Sequence, residues 1–177
     1  PIILDMFVSA FDTLVEDRNI THNKSLLSKY LFALDKQSGK RAKLIFVDTN
    51  AQAEYYHNTF EISLDKMKRV FVGCDEVLFH PLPEKPESCI VLYYCSYLPL
   101  HGVDVVVEAA KLLQAESSIR FKIIGRGTEF GKIQRLVQEK QVNNVELAAP
   151  VAVEQLPFEI QDSIICLGGH FGASSKA

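Results

Sequence analysis

A chain of 177 residues with 47% hydrophobic and 23% charged residues has enough apolar material for a buried core, which excludes disorder, collagen and coiled coil. Its formal charge of -3, from 19 Lys+Arg against 22 Asp+Glu, supplies no basic footprint for a phosphate backbone, so no nucleic-acid partner is expected. The longest uncharged run, Ser88 to Val103, is too short to cross a bilayer and contains Pro99, His101 and Gly102.

The sequence opens on Pro1 rather than Met, and Asp5 interrupts the first apolar run, so it reads as a piece of something longer without a signal peptide. Cys74, Cys89, Cys95 and Cys166 lie far apart with no C-x-x-C pair and no histidine doublet nearby. Neither a zinc site nor a disulfide framework follows, and reduced thiols of a cytoplasmic protein are expected.

Leu26, Leu27, Tyr30, Leu31 and Leu34 recur at helical spacing, which predicts an amphipathic helix over Asn23 to Lys36 with its apolar face on the core. Lys43 to Asp48 is a short apolar run ending at Thr49, a good N-cap, and AQAEYYHNTF follows as a helix with its aromatics in the core. Arg69 to Gly73 (RVFVG) reads as another short strand. Cys74 to Ser88 has no periodicity and holds Pro81, Pro83 and Pro86, which marks it as a linker.

Beyond the linker, strand and helix alternate. Cys89–Cys95 leads to a helix in VDVVVEAAKLLQ, and Phe121–Gly125 to a helix in FGKIQRLVQEK. Asn144–Ala149 is followed by a short helix around Glu154 to Ile160, and Ser163–Gly169 reads as the last strand. Strands apolar on both faces and separated by helices predict α/β architecture with a doubly wound parallel sheet.

Ligands of such sheets sit beyond the carboxyl ends of the strands, so four loops matter. Ser96 to Gly102 leads into a helix whose first amides attract anions; His101 either adds a contact there or is a surface residue. Gly125-Arg126-Gly127 suits a tight turn with Thr128 as cap, and such a lone G-x-G is as common in plain turns as in phosphate sites. Phe130 stands where the third glycine of a dinucleotide fingerprint belongs. Ala149 to Leu156 suits a flat base or an ordinary connection equally. Gly168 to Gly172, with Gly169, His170, Phe171 and Gly172, brings backbone amides close to a ligand or is a flexible end. No H-E-x-x-H, P-loop, G-x-S-x-G or D-x-D occurs, so no metal-dependent phosphate chemistry and no cofactor are expected.

The succession VLYYCSYLPLHGVDVVVEAAKLL, FKIIGRGTEFGKIQRLVQEKQVNNVEL, VAVEQL and SIICLGGHFG resembles the C-terminal domain of the group 1 glycosyltransferases of GT-B fold. Upstream, PIILDMFVSAFDT, KLIFVDTNAQAEYY and RVFVGCDEVLFHP resemble that family's passage from its N-terminal domain through a V-G-x-D-x-x-x-F-x-P linker. The resemblance covers nearly the whole chain. It implies that 1–73 is the tail of an N-terminal acceptor-side domain, 74–88 a linker, and 89–177 the first part of a nucleotide-sugar-binding domain.

The implied reaction is metal-independent transfer of a sugar from a nucleotide-sugar donor to a glycan or lipid-linked acceptor. In that family an Arg and a Lys after the first strand of the C-terminal domain hold the donor diphosphate; here Ser96 and His101 occupy those places. Gly102, Gly125, Arg126, Gly127, Gly169, His170, Phe171 and Gly172 match its donor-facing loops. Gly169 and Ala177 stand where many relatives carry the two glutamates of an E-x7-E motif. In a second registration Phe171-Gly172 and Lys176-Ala177 match, and the charged donor residues fall beyond the last residue. Such two-domain proteins need roughly 300 residues or more, so a fragment without transferase activity of its own is expected. A scaffold subunit that has lost the charged ligands and a nucleotide-sugar epimerase of the same fold are the alternatives. Peripheral association with the inner face of a membrane rests on the family alone, since no basic amphipathic helix stands out in the sequence.

Overall fold

The computed structural model describes residues 1–18, 20–81, 89–169 and 171–172. The chain is α/β and divides into two compact units, Pro1–Cys74 and Asp75–Ala177. Of the expected linker, Asp75 to His80 forms a turn in which the Asp75 carboxylate accepts from the amides of Val77 and Leu78, while 82–88 lie outside the described residues.

The first unit is a parallel sheet in the order β1 (Ile3–Asp5), β2 (Leu44–Val47), β3 (Met67–Arg69). Its crossover helices are α1 (Leu26–Arg41) and α2 (Asn50–Phe60). The Ser25 side chain accepts from the Ser28 amide and starts α1 at Leu26, three residues after the expected Asn23. Thr49 caps α2 as its sequence predicts, by accepting from the Gln52 amide. Tyr56, Phe60, Ile62 and Ile45 fill the core.

Two expectations for this unit fail. The strand read at Arg69 to Gly73 ends at Arg69, because register with β2 is fixed by Ile45 against Met67 and Val47 against Arg69. Phe71 and Val72 therefore stand exposed, and Phe71 meets the Arg69 guanidinium instead, 4.3 Å from its ring centre. The face that α1 turns inward is Ser28, Leu31, Asp35 and Gly39, whereas Leu26, Leu27, Tyr30 and Leu34 are exposed. The buried Asp35 carboxylate accepts from Ser9 Oγ at 2.7 Å and the Phe11 amide at 2.8 Å, beside a π-helical turn at Asp12–Asp17. Gly39 lies so close to Ile62 that an added Cβ would meet its side chain at 2.2 Å. A charge-assisted bond and a close backbone approach thus decide which side of α1 is inside.

The second unit is a four-stranded parallel sheet in the order β6 (Val145–Ala148), β5 (Arg120–Gly125), β4 (Ile90–Cys95), β7 (Ile165–Leu167). Helices α3 (Val103–Leu112) and α4 (Phe130–Glu139) pack on one face through Val103, Val106, Val107, Ala110 and Ile133, against Val91, Tyr93, Phe121 and Ile123. The alternate strand residues point the other way, and there Lys122 pairs with Glu159 of α5 (Leu156–Gln161). Helices on opposite faces make the sheet doubly wound. The chain reverses direction between β6 and β7, so the switch point falls at β4.

Candidate functional site

At the carboxyl ends of β4, β5 and β6 lies an open cleft of about 350 Å³ lined by Tyr94, Cys95, Ser96, His101, Ile124, Gly125, Pro150, Val151 and Leu156. Ser96, His101 and Gly125 are residues that the sequence singles out, and Pro150, Val151 and Leu156 belong to the third candidate loop. Tyr94, Cys95 and Ile124 were missed, although each ends a strand that the sequence predicts. A roomier opening of about 570 Å³ sits at the amino ends of the same strands, among Arg120, Asn144 and Glu146. It lies away from the carboxyl ends of the strands, where parallel sheets bind ligands.

The glycines of the cleft let backbones cross. A Cβ on Gly125 would stand 1.9 Å from the Cys95 carbonyl oxygen, and one on Gly127 would stand 1.8 Å from that of Ser96, so the second loop is pressed against the first. Arg126 between them is exposed. Thr128 does not cap α4; the capping position is Glu129, without a side-chain bond.

The loop after β7 is stitched onto the turn before α3. The Phe171 amide donates to the His101 carbonyl at 3.3 Å, and the Gly172 amide to the Leu100 carbonyl at 3.0 Å. Tyr93 reaches both loops, its hydroxyl lying 2.9 Å from the carbonyl oxygens of His101 and Gly169. Gly102, at φ 57, has room for no Cβ, because the Phe171 carbonyl carbon would stand 2.3 Å from it. These glycines and amides hold two loops together, and the two amides are already committed to carbonyls. His170, Lys176 and Ala177 lie outside the described residues.

Burial sets the local acidities. Desolvation, with a smaller contribution from Cys95, pushes the Tyr93 hydroxyl up to about 12, and desolvation also raises the Cys95 thiol. Among the described residues no three of His, Cys, Asp and Glu gather as a metal-binding group. The arrangement presents a half-apolar slot, Ser96 and His101 to a ligand, the last of them two residues ahead of the start of α3. A flat, partly apolar ring with an anionic tail near the α3 amides fits that description.

Comparison with known proteins supplies the fold's identity. WaaG, a glycosyltransferase involved in lipopolysaccharide biosynthesis, superposes with a TM-score of 0.74 at 13% identity over 96% of this chain and 50% of its own. The chain has the fold of GT-B glycosyltransferases. HepE of Anabaena, solved with UDP-glucose, gives 0.72 at 11% identity over 94% of this chain and 46% of its own. TarM of S. aureus gives 0.70 at 16% identity over 93% and 30%. The chain therefore spans about a third to a half of the proteins it matches. No family model and no curated protein matches it.

Proposed function

We propose that this chain is the donor-binding part of a metal-independent glycosyltransferase, which moves a sugar from a nucleoside diphosphate to a glycan or lipid-linked acceptor. The observation that carries the reading is the cleft at the carboxyl ends of β4 to β6, open beside the start of α3, in a fold shared with proteins solved with UDP or UDP-glucose. Pro150, Val151 and Leu156 offer the flat base an apolar seat. The diphosphate then meets the α3 amides and the Ser96 hydroxyl, with Arg126 as the nearby cation, and stabilisation of the leaving nucleoside diphosphate is electrostatic.

Calorimetric titration of the whole protein with UDP, GDP and their sugars tests this. A 1:1 complex with one base, weakened about tenfold by Arg126→Ala, is expected, since a charged hydrogen bond is worth about 1.5 kcal/mol or more. No binding of either nucleotide by the whole protein overturns the reading. One observation favours a non-catalytic scaffold as second reading: among the described residues no Lys or Arg side chain lines the cleft. Nucleotide binding without sugar release or transfer selects it.

The exposed stripe of α1 supports a membrane surface as partner. Leu26, Leu27, Tyr30 and Leu34 face outward on a helix that also carries Lys29 and Arg41; Lys36 and Lys40 pair with Glu61, and the helix's sole acid, Asp35, points inward. This is the basic amphipathic helix that the sequence pattern did not single out, because its apolar residues read as core. Co-sedimentation with phosphatidylserine vesicles, lost in Leu26→Glu/Tyr30→Glu and reduced by salt, is expected. Unchanged sedimentation of that variant contradicts it.

A further inference from the structure

The loop between β4 and α3 carries an inference about how His101 works. Backbone amides can only donate, and two of them point at the same ring nitrogen: Ser96 N lies 3.2 Å and Leu98 N 3.5 Å from His101 Nδ1. Between them Tyr97 has φ 44, in the left-handed region that bulky residues avoid, and its side chain is fully buried. Two amides of one short loop therefore converge on a single acceptor, an arrangement that otherwise gathers an anion. Here that acceptor is an imidazole lone pair.

We propose that His101 is a positioning residue that acts as the neutral tautomer with its proton on Nε2. It holds the Ser96–Leu98 loop, strained Tyr97 included, in the shape that leaves the Ser96 side chain and the start of α3 on the cleft. The ring is then a loop clamp rather than a cation for the ligand. An imidazolium would present N–H at Nδ1 and lose both bonds; a lysine, having no acceptor, makes neither. The rest of the loop fits this role. The amide of Glu129, the capping residue of α4, donates to the Tyr97 carbonyl at 3.0 Å, and the Tyr97 ring packs edge-on against Phe130 at 5.2 Å. The shape that His101 fixes is thereby passed to the Gly125–Gly127 turn. The consequence for ligand binding rests on the cleft being the donor site; the tautomer does not.

The test has two arms. Nitrogen-resolved NMR of the histidine rings in the whole protein at neutral pH is expected to show Nδ1 of His101 unprotonated and Nε2 protonated, with the amides of Ser96 and Leu98 slow to exchange. In parallel, His101→Asn places an acceptor oxygen where Nδ1 stands, His101→Ala removes it and His101→Lys replaces it with charge. UDP affinity is expected to stay within about threefold in His101→Asn and to fall about tenfold in both His101→Ala and His101→Lys, with faster exchange of the two amides only in the latter pair. A protonated Nδ1, or a lysine variant that binds UDP at least as well as the unaltered protein while the asparagine variant fails, overturns the proposal. If the unaltered protein binds no UDP, the donor-site reading fails, and the ring spectrum with amide exchange in the three variants still decides the clamp.

Discussion

Helices α1 and α3 carry similar apolar spacing and use it in opposite ways. In α3, Val103, Val106, Val107 and Ala110 all go inside against β4 and β5. In α1 the stripe Leu26, Tyr30 and Leu34 goes outside, and a serine, an aspartate and a glycine share the buried face with Leu31. An apolar period finds a helix reliably, but the side that is buried follows from where the polar groups are satisfied and where backbones must approach. The stripe left in water on α1 is the surface proposed above for a membrane.

Substitutions separate the two cases. Val107→Asp, at a position with no exposure, is expected to cost about 4 kcal/mol or more by burying an unpaired carboxylate, read as a collapse of the urea midpoint of the second unit. Asp35→Ala comes next at about 3 kcal/mol, because Ser9 and the Phe11 amide lose a charged acceptor; Asp35→Asn, which keeps one acceptor oxygen, costs about half of that. Gly39→Ala is expected to lose about 1 kcal/mol despite alanine's better helix propensity, since its Cβ runs into Ile62. Tyr30→Glu, by contrast, changes stability by less than about 0.5 kcal/mol. If Tyr30→Glu destabilises as much as Asp35→Ala, the outward stripe is covered and the contrast between the helices fails.

Alkaline pH probes buried phenols in both units, Tyr55 and Tyr56 in the first and Tyr93 and Tyr97 in the second, and Tyr93 is the one that joins the loops before α3 and after β7. Tyr93 ordinarily ionises at 10.0 and in the folded unit only at about 12, so between those values the unfolded chain releases a proton that the folded one keeps. Stability contributed by the neutral phenol is complete below about pH 10 and is lost as pH climbs to about 12. Tyr93→Phe is expected to flatten that decline in alkaline melts, at the expense of the bonds to the His101 and Gly169 carbonyls at every pH.

The long alternation from β4 to β7 was legible because each strand is a short, mostly apolar run and each helix is flanked by polar turns. Strand β1, three residues long and ending on Asp5, and the π-helical turn gave no comparable signal. The carboxyl-end rule located Ser96, His101, Gly125 and the 149–156 loop on sequence alone. What those residues do was not legible. The capture of two amides by His101 depends on a left-handed Tyr97, and the commitment of the Phe171 and Gly172 amides depends on how two loops meet. Neither leaves a trace in composition or spacing.

The central claim, that the cleft of the second unit holds the nucleotide, is tested most directly by the thiol in its wall. Cys95 lines the cleft, whereas Cys74 and Cys166 are exposed elsewhere. Alkylation of the whole protein, followed peptide by peptide with mass spectrometry, is expected to slow at Cys95 when UDP is added and to stay unchanged at Cys74 and Cys166. UDP that binds by calorimetry yet leaves the Cys95 rate unaltered would contradict the account.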